Sequence, residues 1–216
     1  MLIPRTSALL GALLFSVAAT ADAQSSRIPV AKDRPRVTTT TSGGEVELAP
    51  VAPAILPAFS VASYPTLTEK NITAIMAAGD SLEIQIGDLA RTKGTAESVR
   101  NFGTMLGTDH RAHLTKTMEI ITDEDVGVEA VPHDVEAARL RGFLNWLQTT
   151  PASAAWDAAF LRFQAQHHQN VLDLLSENLK NAHDDDLEDH IEKTLKSLAK
   201  HRDIAKSTAI TLGVTL

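Results

Sequence analysis

Three histidines of this chain lie within long apolar repeats, where a polar side chain is unusual. His110, His168 and His201 each fall among leucine, isoleucine, valine and phenylalanine residues spaced three and four apart, which is the period of one helix face. Glu83 lies in an earlier repeat of the same kind. Imidazole and carboxylate groups together suit Zn, Mn, Cu or Fe. We therefore interpret these four residues as candidate ligands of one divalent transition-metal ion.

The four candidates lie at similar distances from the predicted turns between helices. Glu83 and His110 are about 11 and about 16 residues from the first turn, and His168 and His201 about 15 and about 17 from the second, so at ~1.5 Å per residue each pair matches in height within roughly 7 Å. The four side chains are therefore predicted to meet in one middle layer. Three further residues are predicted to support the site as hydrogen-bond partners or extra ligands: Asp109 next to His110, His113 one turn later, and His167 next to His168.

Two other functions fit the same residues. A buried histidine is often a hydrogen-bonded core residue, so the four groups could form a polar network without metal. A metal-dependent oxidase is the third reading, but the two Glu-x-x-His pairs of di-iron bundles are missing, because Leu198 precedes His201 by three residues and Gly107 precedes His110 by three. Catalytic residues and enzymatic activity stay unassigned. Three other histidines, His133, His183 and His190, are predicted to be solvated.

Four long helical repeats position the candidate ligands. The first is predicted to begin at a capping box of Thr66 and Glu69 and to end at Gly94, and the second runs from Thr95 to the acidic residues near 123. The third begins near Ser153. The fourth begins at the acidic run 184–186. A connection of about thirty residues, with a short helix over 134–147, separates the two pairs, so we predict an all-α four-helix bundle.

The segments before residue 66 have a different character. Residues 1–23 resemble a cleavable signal peptide, with an apolar run of a dozen residues and a cut after Ala23. Residues 24–65 contain six of the nine prolines and are predicted to be a disordered linker before the domain 66–216. The mature protein is expected in the periplasm or secreted, with no integral membrane segment.

Composition excludes several classes of protein. The chain has no cysteine, so no disulfide or redox motif holds the fold, which must depend on its apolar core. Its formal net charge is −7, which argues against nucleic acid as a partner because phosphate binding needs a basic face. Protein partners and a homo-oligomer stay open.

Several motifs resemble one bacterial family, the domain of unknown function 4142. In the first helical pair the resemblance is carried by the run 79–90, by 99–102 and by Thr108-Asp109-His110. In the second pair it is carried by 156–160 followed by His168, and by Thr194-Leu195 followed by Leu198 and His201. The resemblance implies a ferritin-like bundle in an exported envelope protein, and it places five residues at motif positions: Glu83, Asp109, His110, His168 and His201.

This chain departs from the family pattern at three positions. Phe160 stands where tyrosine is common, His167 where an acidic residue often precedes the motif histidine, and Lys196 where proline is usual. The family name assigns no activity. The resemblance therefore implies a fold and a compartment, and the function has to come from the site itself.

Overall fold

The computed structural model describes residues 59–123 and 126–216. The predicted signal peptide and the predicted linker as far as residue 58 lie outside the described residues. The described part of the linker, residues 59–65, contacts the helices. In that segment Tyr64 Oη donates a hydrogen bond to Asp134 Oδ1 (2.8 Å) and accepts one from the backbone N–H of Glu136 (3.0 Å).

The structure is all-helical, which confirms the predicted class. The described residues form five α-helices: α1 (Glu69–Lys93), α2 (Glu97–Asp123), α3 (Val135–Thr149), α4 (Ala154–Asn178) and α5 (Asp185–Thr211). Residues 59–123 and 126–216 contain no strand. None of the helices in these ranges is both long and apolar enough to cross a lipid bilayer.

Capping side chains explain where most of the helices begin. Asp134, Ser153 and Asp184 each accept a hydrogen bond from a backbone N–H in the first turn of α3, α4 and α5, as expected at an N-cap. These starts agree with the sequence prediction. The predicted cap of α1 is wrong by two residues: Thr68, not Thr66, is the N-cap, and its reciprocal partner is Asn71.

Glycines set the register between α1 and α2. An added Cβ on Gly87 would lie 2.7 Å from the backbone nitrogen of Gly107, so only a residue without a side chain allows this approach. The two helices run antiparallel through a short connection. Glu83 precedes Gly87 by one turn and His110 follows Gly107 by nearly one turn, so this register brings α1 and α2 together at the level of the candidate site.

The polar layer lies between two apolar clusters. One cluster contains Phe102, Leu106, Trp156 and Phe160, and the other contains Ile72, Leu174, Leu187 and Ile191. On α2, α4 and α5 the three candidate histidines fall between residues of the first cluster and residues of the second. Leu212 is 41% exposed because α5 ends before it.

Candidate metal centre

Three helices bring His110, His168 and His201 together. The rings come from α2, α4 and α5, and their centroids lie 5.2–5.8 Å apart. One nitrogen from each ring lies within 4.8 Å of the other two. The three residues are almost completely buried, with exposed fractions of 2%, 0% and 0%. This arrangement matches the predicted common level of the three histidines.

Each of these rings uses its other nitrogen in a hydrogen bond to oxygen. His110 Nδ1 lies 2.7 Å from Asp80 Oδ1, and His168 Nδ1 lies 2.9 Å from the backbone oxygen of Gln164. His201 Nε2 lies 2.8 Å from Asp109 Oδ2. A carbonyl or carboxylate oxygen accepts the hydrogen bond, so it fixes the N–H on that nitrogen of His168 and His201 and leaves a lone pair on the other. The same holds for His110 when Asp80 is ionised.

The three remaining nitrogens have no hydrogen-bond partner among the described residues. They are His110 Nε2, His168 Nε2 and His201 Nδ1. Leaving a buried polar atom unpaired costs about 1–3 kcal/mol. A hydrogen-bond donor or a cation between the three rings would therefore remove the free-energy cost of three unpaired acceptors.

Burial keeps the three imidazoles neutral. It lowers the pKa of His110 and of His201 to about 4, and it lowers the pKa of His168 well below its ordinary value. Neighbouring histidines lower the pKa values further. At neutral pH all three rings are therefore in the form that binds a metal ion.

Asp80 was not among the sequence candidates, although it contacts the cluster. It is 6% exposed, and its Oδ2 has no hydrogen-bond partner within the described part of the chain. Burial raises the pKa of its carboxyl to about 7. His113 Nδ1 lies 3.9 Å from Asp80 Oδ1, and Asp80, His110 and His113 form a second close group of ligand atoms. Position 80 precedes Glu83 by one helical turn, which is the signal that sequence reasoning missed.

Glu83 is fully buried beside the cluster but is not part of the three-histidine group. Its two carboxylate oxygens accept hydrogen bonds from Gln164 Nε2 at 3.2 and 3.0 Å. His167 Nε2 lies 3.5 Å from Glu83 Oε1. Burial lowers the pKa of His110, and the charge of Glu83 opposes part of that shift. Glu83 is thus a neighbouring carboxylate held by Gln164.

Asp109 lies behind His201. Its side chain is 29% exposed, and its Oδ2 accepts the hydrogen of His201 Nε2. Lys200 Nζ lies 3.8 Å from the same oxygen. Asp109 therefore orients an imidazole of the cluster, which is one of the two tasks predicted for it.

A second polar group joins α3 to the layer through Glu136, whose pairing with His167 was not predicted. His167 Nδ1 lies 2.7 Å from Glu136 Oε1, and Asn170 Nδ2 donates to both carboxylate oxygens of Glu136 at 3.3 Å. Burial alone would lower the pKa of His167, but the hydrogen bond to Glu136 and the nearby charges raise it above its ordinary value. Glu136 precedes Leu140 and Phe143 by four and seven residues, so its helical spacing could have revealed its inward face.

His190 is a correction to the sequence prediction. It was expected to be solvated, but it is 4% exposed and its Nε2 lies 2.9 Å from Thr117 Oγ1 on α2. The acidic residues around it suggested a polar helix face. His133 and His183 are exposed, as predicted.

Comparison with known proteins assigns the domain but no activity. A family model described as "Domain of unknown function (DUF4142)" matches residues 56–208. No curated protein and no solved structure matches the chain.

Proposed function

We propose that this chain, which belongs to the family described as a domain of unknown function (DUF4142), binds one divalent transition-metal ion between His110, His168 and His201. The observation that carries the proposal is the convergence of three buried ring nitrogens without partners. Their number matters, because a single water molecule has only two hydrogens to donate. A cation can satisfy all three lone pairs at once.

The surroundings of the three rings support a metal site. Histidine ligands in metalloproteins donate their second N–H to a carboxylate or carbonyl oxygen, as His110, His168 and His201 do here. Imidazole ligands favour Zn, Cu or Fe over Ca or Mg, which prefer oxygen. In this proposal Asp80 and Asp109 orient two of the ligands. Glu83, on α1, supplies a negative charge that balances the charge of the ion. Direct coordination of the ion by Glu83 would require Glu83 to give up its hydrogen bonds to Gln164.

The proposal extends to architecture and compartment. We propose that the hairpins α1–α2 and α4–α5 form a ferritin-like four-helix bundle, with α3 carried by the long connection between them. We also propose export through the segment 1–23, which would place the mature protein in the periplasm or outside the cell. Mass spectrometry of the protein isolated from its native envelope should find Gln24 as the first residue, and any peptide from residues 1–23 would contradict the cut.

The alternative is a metal-free polar network. It is favoured by the pairs Glu136–His167 and Thr117–His190, in which buried polar side chains satisfy one another without an ion. The two functions differ in one measurable quantity. Elemental analysis of the purified protein after equilibration with Zn²⁺, Mn²⁺, Cu²⁺ or Fe²⁺ and removal of free metal should find one ion per chain. If none of the four metals stays bound, the metal site is wrong and the polar network stands.

A further inference from the structure

A cavity of about 40 Å³ lies beside the imidazole cluster, and Glu83 and His110 belong to its wall. One water molecule needs about 10–15 Å³ of such a cavity. The space therefore holds about three water-sized groups. It has room for more than one water molecule and is too small for a metabolite of ordinary size.

The wall of the cavity contains both polar and apolar side chains. Met76, Leu140 and Leu174 contribute apolar surface. Three polar atoms of lining residues have no hydrogen-bond partner within the described residues. They are Asp80 Oδ2, His110 Nε2 and Thr194 Oγ1. An occupant with one polar end and little else that is polar would match this wall.

The open coordination position of the proposed metal ion would face the cavity. Three protein ligands leave a tetrahedral ion with one vacant position, as in catalytic rather than structural sites. On one side of the imidazoles the apolar cluster closes the layer, with the Phe102 ring 6.4 Å from that of His201. The cavity adjoins the layer through Glu83 and His110.

We propose that this cavity holds a small exchangeable ligand of two or three heavy atoms, which binds the metal ion through one lone-pair end. The inference rests on the proposed metal site and adds what that site would take. Thr194 Oγ1 and Asp80 Oδ2 offer hydrogen-bond partners at the polar end, and the apolar side chains surround the rest of the ligand.

The cavity is close to the outside of the molecule. A surface groove of about 570 Å³ shares Ile75, Asp134 and Ala137 with the wall of the cavity. These residues belong to α1 and to the start of α3, so the two spaces adjoin there. A ligand of this size therefore has a short path for exchange.

Gly79 offers a way to fill the cavity without touching a ligand. It lines the cavity, and an added Cβ there would meet no heavy atom within 4 Å. Leucine is also a better helix former than glycine. Gly79→Leu should therefore fold, keep the metal site and occupy the space. Ser81→Leu is the matched control, since Ser81 is exposed on the same helix.

The test uses the Co²⁺-loaded protein with azide as a three-atom probe, followed by the visible absorption of Co²⁺. Azide should change the wild-type spectrum saturably. Gly79→Leu should keep Co²⁺ affinity and lose at least about tenfold in azide affinity, and Ser81→Leu should behave as wild type. Thr194→Val keeps the shape of the side chain and removes the hydroxyl, so it should weaken azide binding without changing Co²⁺ affinity. If Gly79→Leu disturbs the metal site, the result for Thr194→Val tests the proposal instead.

The two proposals fail in different ways. If the wild-type protein does not bind Co²⁺, the proposed metal site is wrong, and the proposal that the cavity holds a ligand of the metal is wrong too. If Co²⁺ binds but azide leaves its spectrum unchanged, the metal site stands, and the proposal that the cavity holds a ligand of the metal is refuted. Unchanged azide affinity in both Gly79→Leu and Thr194→Val would also overturn the inference.

Discussion

His168 donates its Nδ1 hydrogen to the backbone carbonyl of Gln164, 2.9 Å away and one turn earlier in α4. A backbone carbonyl can only accept, so this contact assigns the proton to Nδ1 and the lone pair to Nε2. The helix itself thus sets the tautomer of this ring. His168 is the cluster member whose ligating atom depends on no titratable partner.

His168→Ala should abolish the thermal stabilisation caused by metal. At a hundredfold excess of metal over its Kd, binding adds about 2.7 kcal/mol, which raises the melting temperature by about 5–11 °C for a domain of this size. Loss of one of three ligands weakens binding by orders of magnitude, so the shift should disappear. Calorimetric melting with and without Zn²⁺ measures it.

The control for that variant is each protein's own metal-free form. His168→Ala also leaves a cavity in the core and lowers the melting temperature for that reason alone. His183→Ala removes an exposed histidine and should keep the wild-type shift. A metal-induced shift of unchanged size in His168→Ala would show that the ion binds elsewhere.

Asp109→Ala should weaken metal binding without removing a ligand. The carboxylate accepts the hydrogen of His201 Nε2, and loss of such a partner typically costs about 10–100-fold in metal affinity. Competition with a metal-sensitive dye measures the affinity. Asp203→Ala removes the same charge from an exposed position on α5 and is the control. Equal affinities of the two variants would count against the role of Asp109.

The metal-free protein should lose stability as the pH falls from about 6.5 to about 4. Burial lowers the pKa of His110, His190 and His201 to about 4, and it also lowers those of His113 and His168. Between the unfolded value of about 6.5 and these folded values the unfolded chain binds more protons, so acid favours unfolding. Asp80, whose pKa is raised to about 7, opposes this trend over the same range, but it is one group against five. His167, whose pKa is raised above its ordinary value, acts mainly above pH 6.5.

His190 isolates one part of this pH dependence, because it lies outside the proposed ligand set. His190→Gln should flatten the fall in melting temperature between pH 6.5 and 4, since glutamine cannot take up a proton. His183→Gln, at an exposed position, should leave the wild-type slope. A melting temperature that rises on acidification over this range would contradict the assignment of neutral buried histidines.

The sequence predicted those features that depend on local signals. Helix starts at Ser153 and Asp184 follow from side chains that cap their own helix, and the apolar period placed His110, His168 and His201 inside. The Glu136–His167 pair was missed because it depends on how α3 packs against α4 across a long connection. His190 was misjudged because its partner, Thr117, comes from another helix. Contacts between helices distant in sequence leave no local pattern.

Gly87→Ala should destabilise the protein although alanine is the better helix former. The gain in helix propensity is about 1 kcal/mol, whereas overpacking typically costs about 1–3 kcal/mol. Here the cost should be at the upper end, because the new Cβ would lie 2.7 Å from Gly107 N and 2.8 Å from Gly103 O, and backbone atoms cannot turn aside as a flexible side chain can. We expect a net loss of about 1–2 kcal/mol in denaturant unfolding.

Gly79→Ala is the matched substitution on the same helix. Its Cβ would meet no heavy atom within 4 Å, so only the propensity gain remains and stability should rise by about 0.5–1 kcal/mol. The pair therefore separates the close approach of α1 and α2 from the general effect of glycine in a helix. Gly87→Ala should also weaken metal binding, because separating these helices moves Asp80 away from His110, whose ring it orients. If both variants gain stability equally, the backbone contact at Gly87 does not set the register of the site.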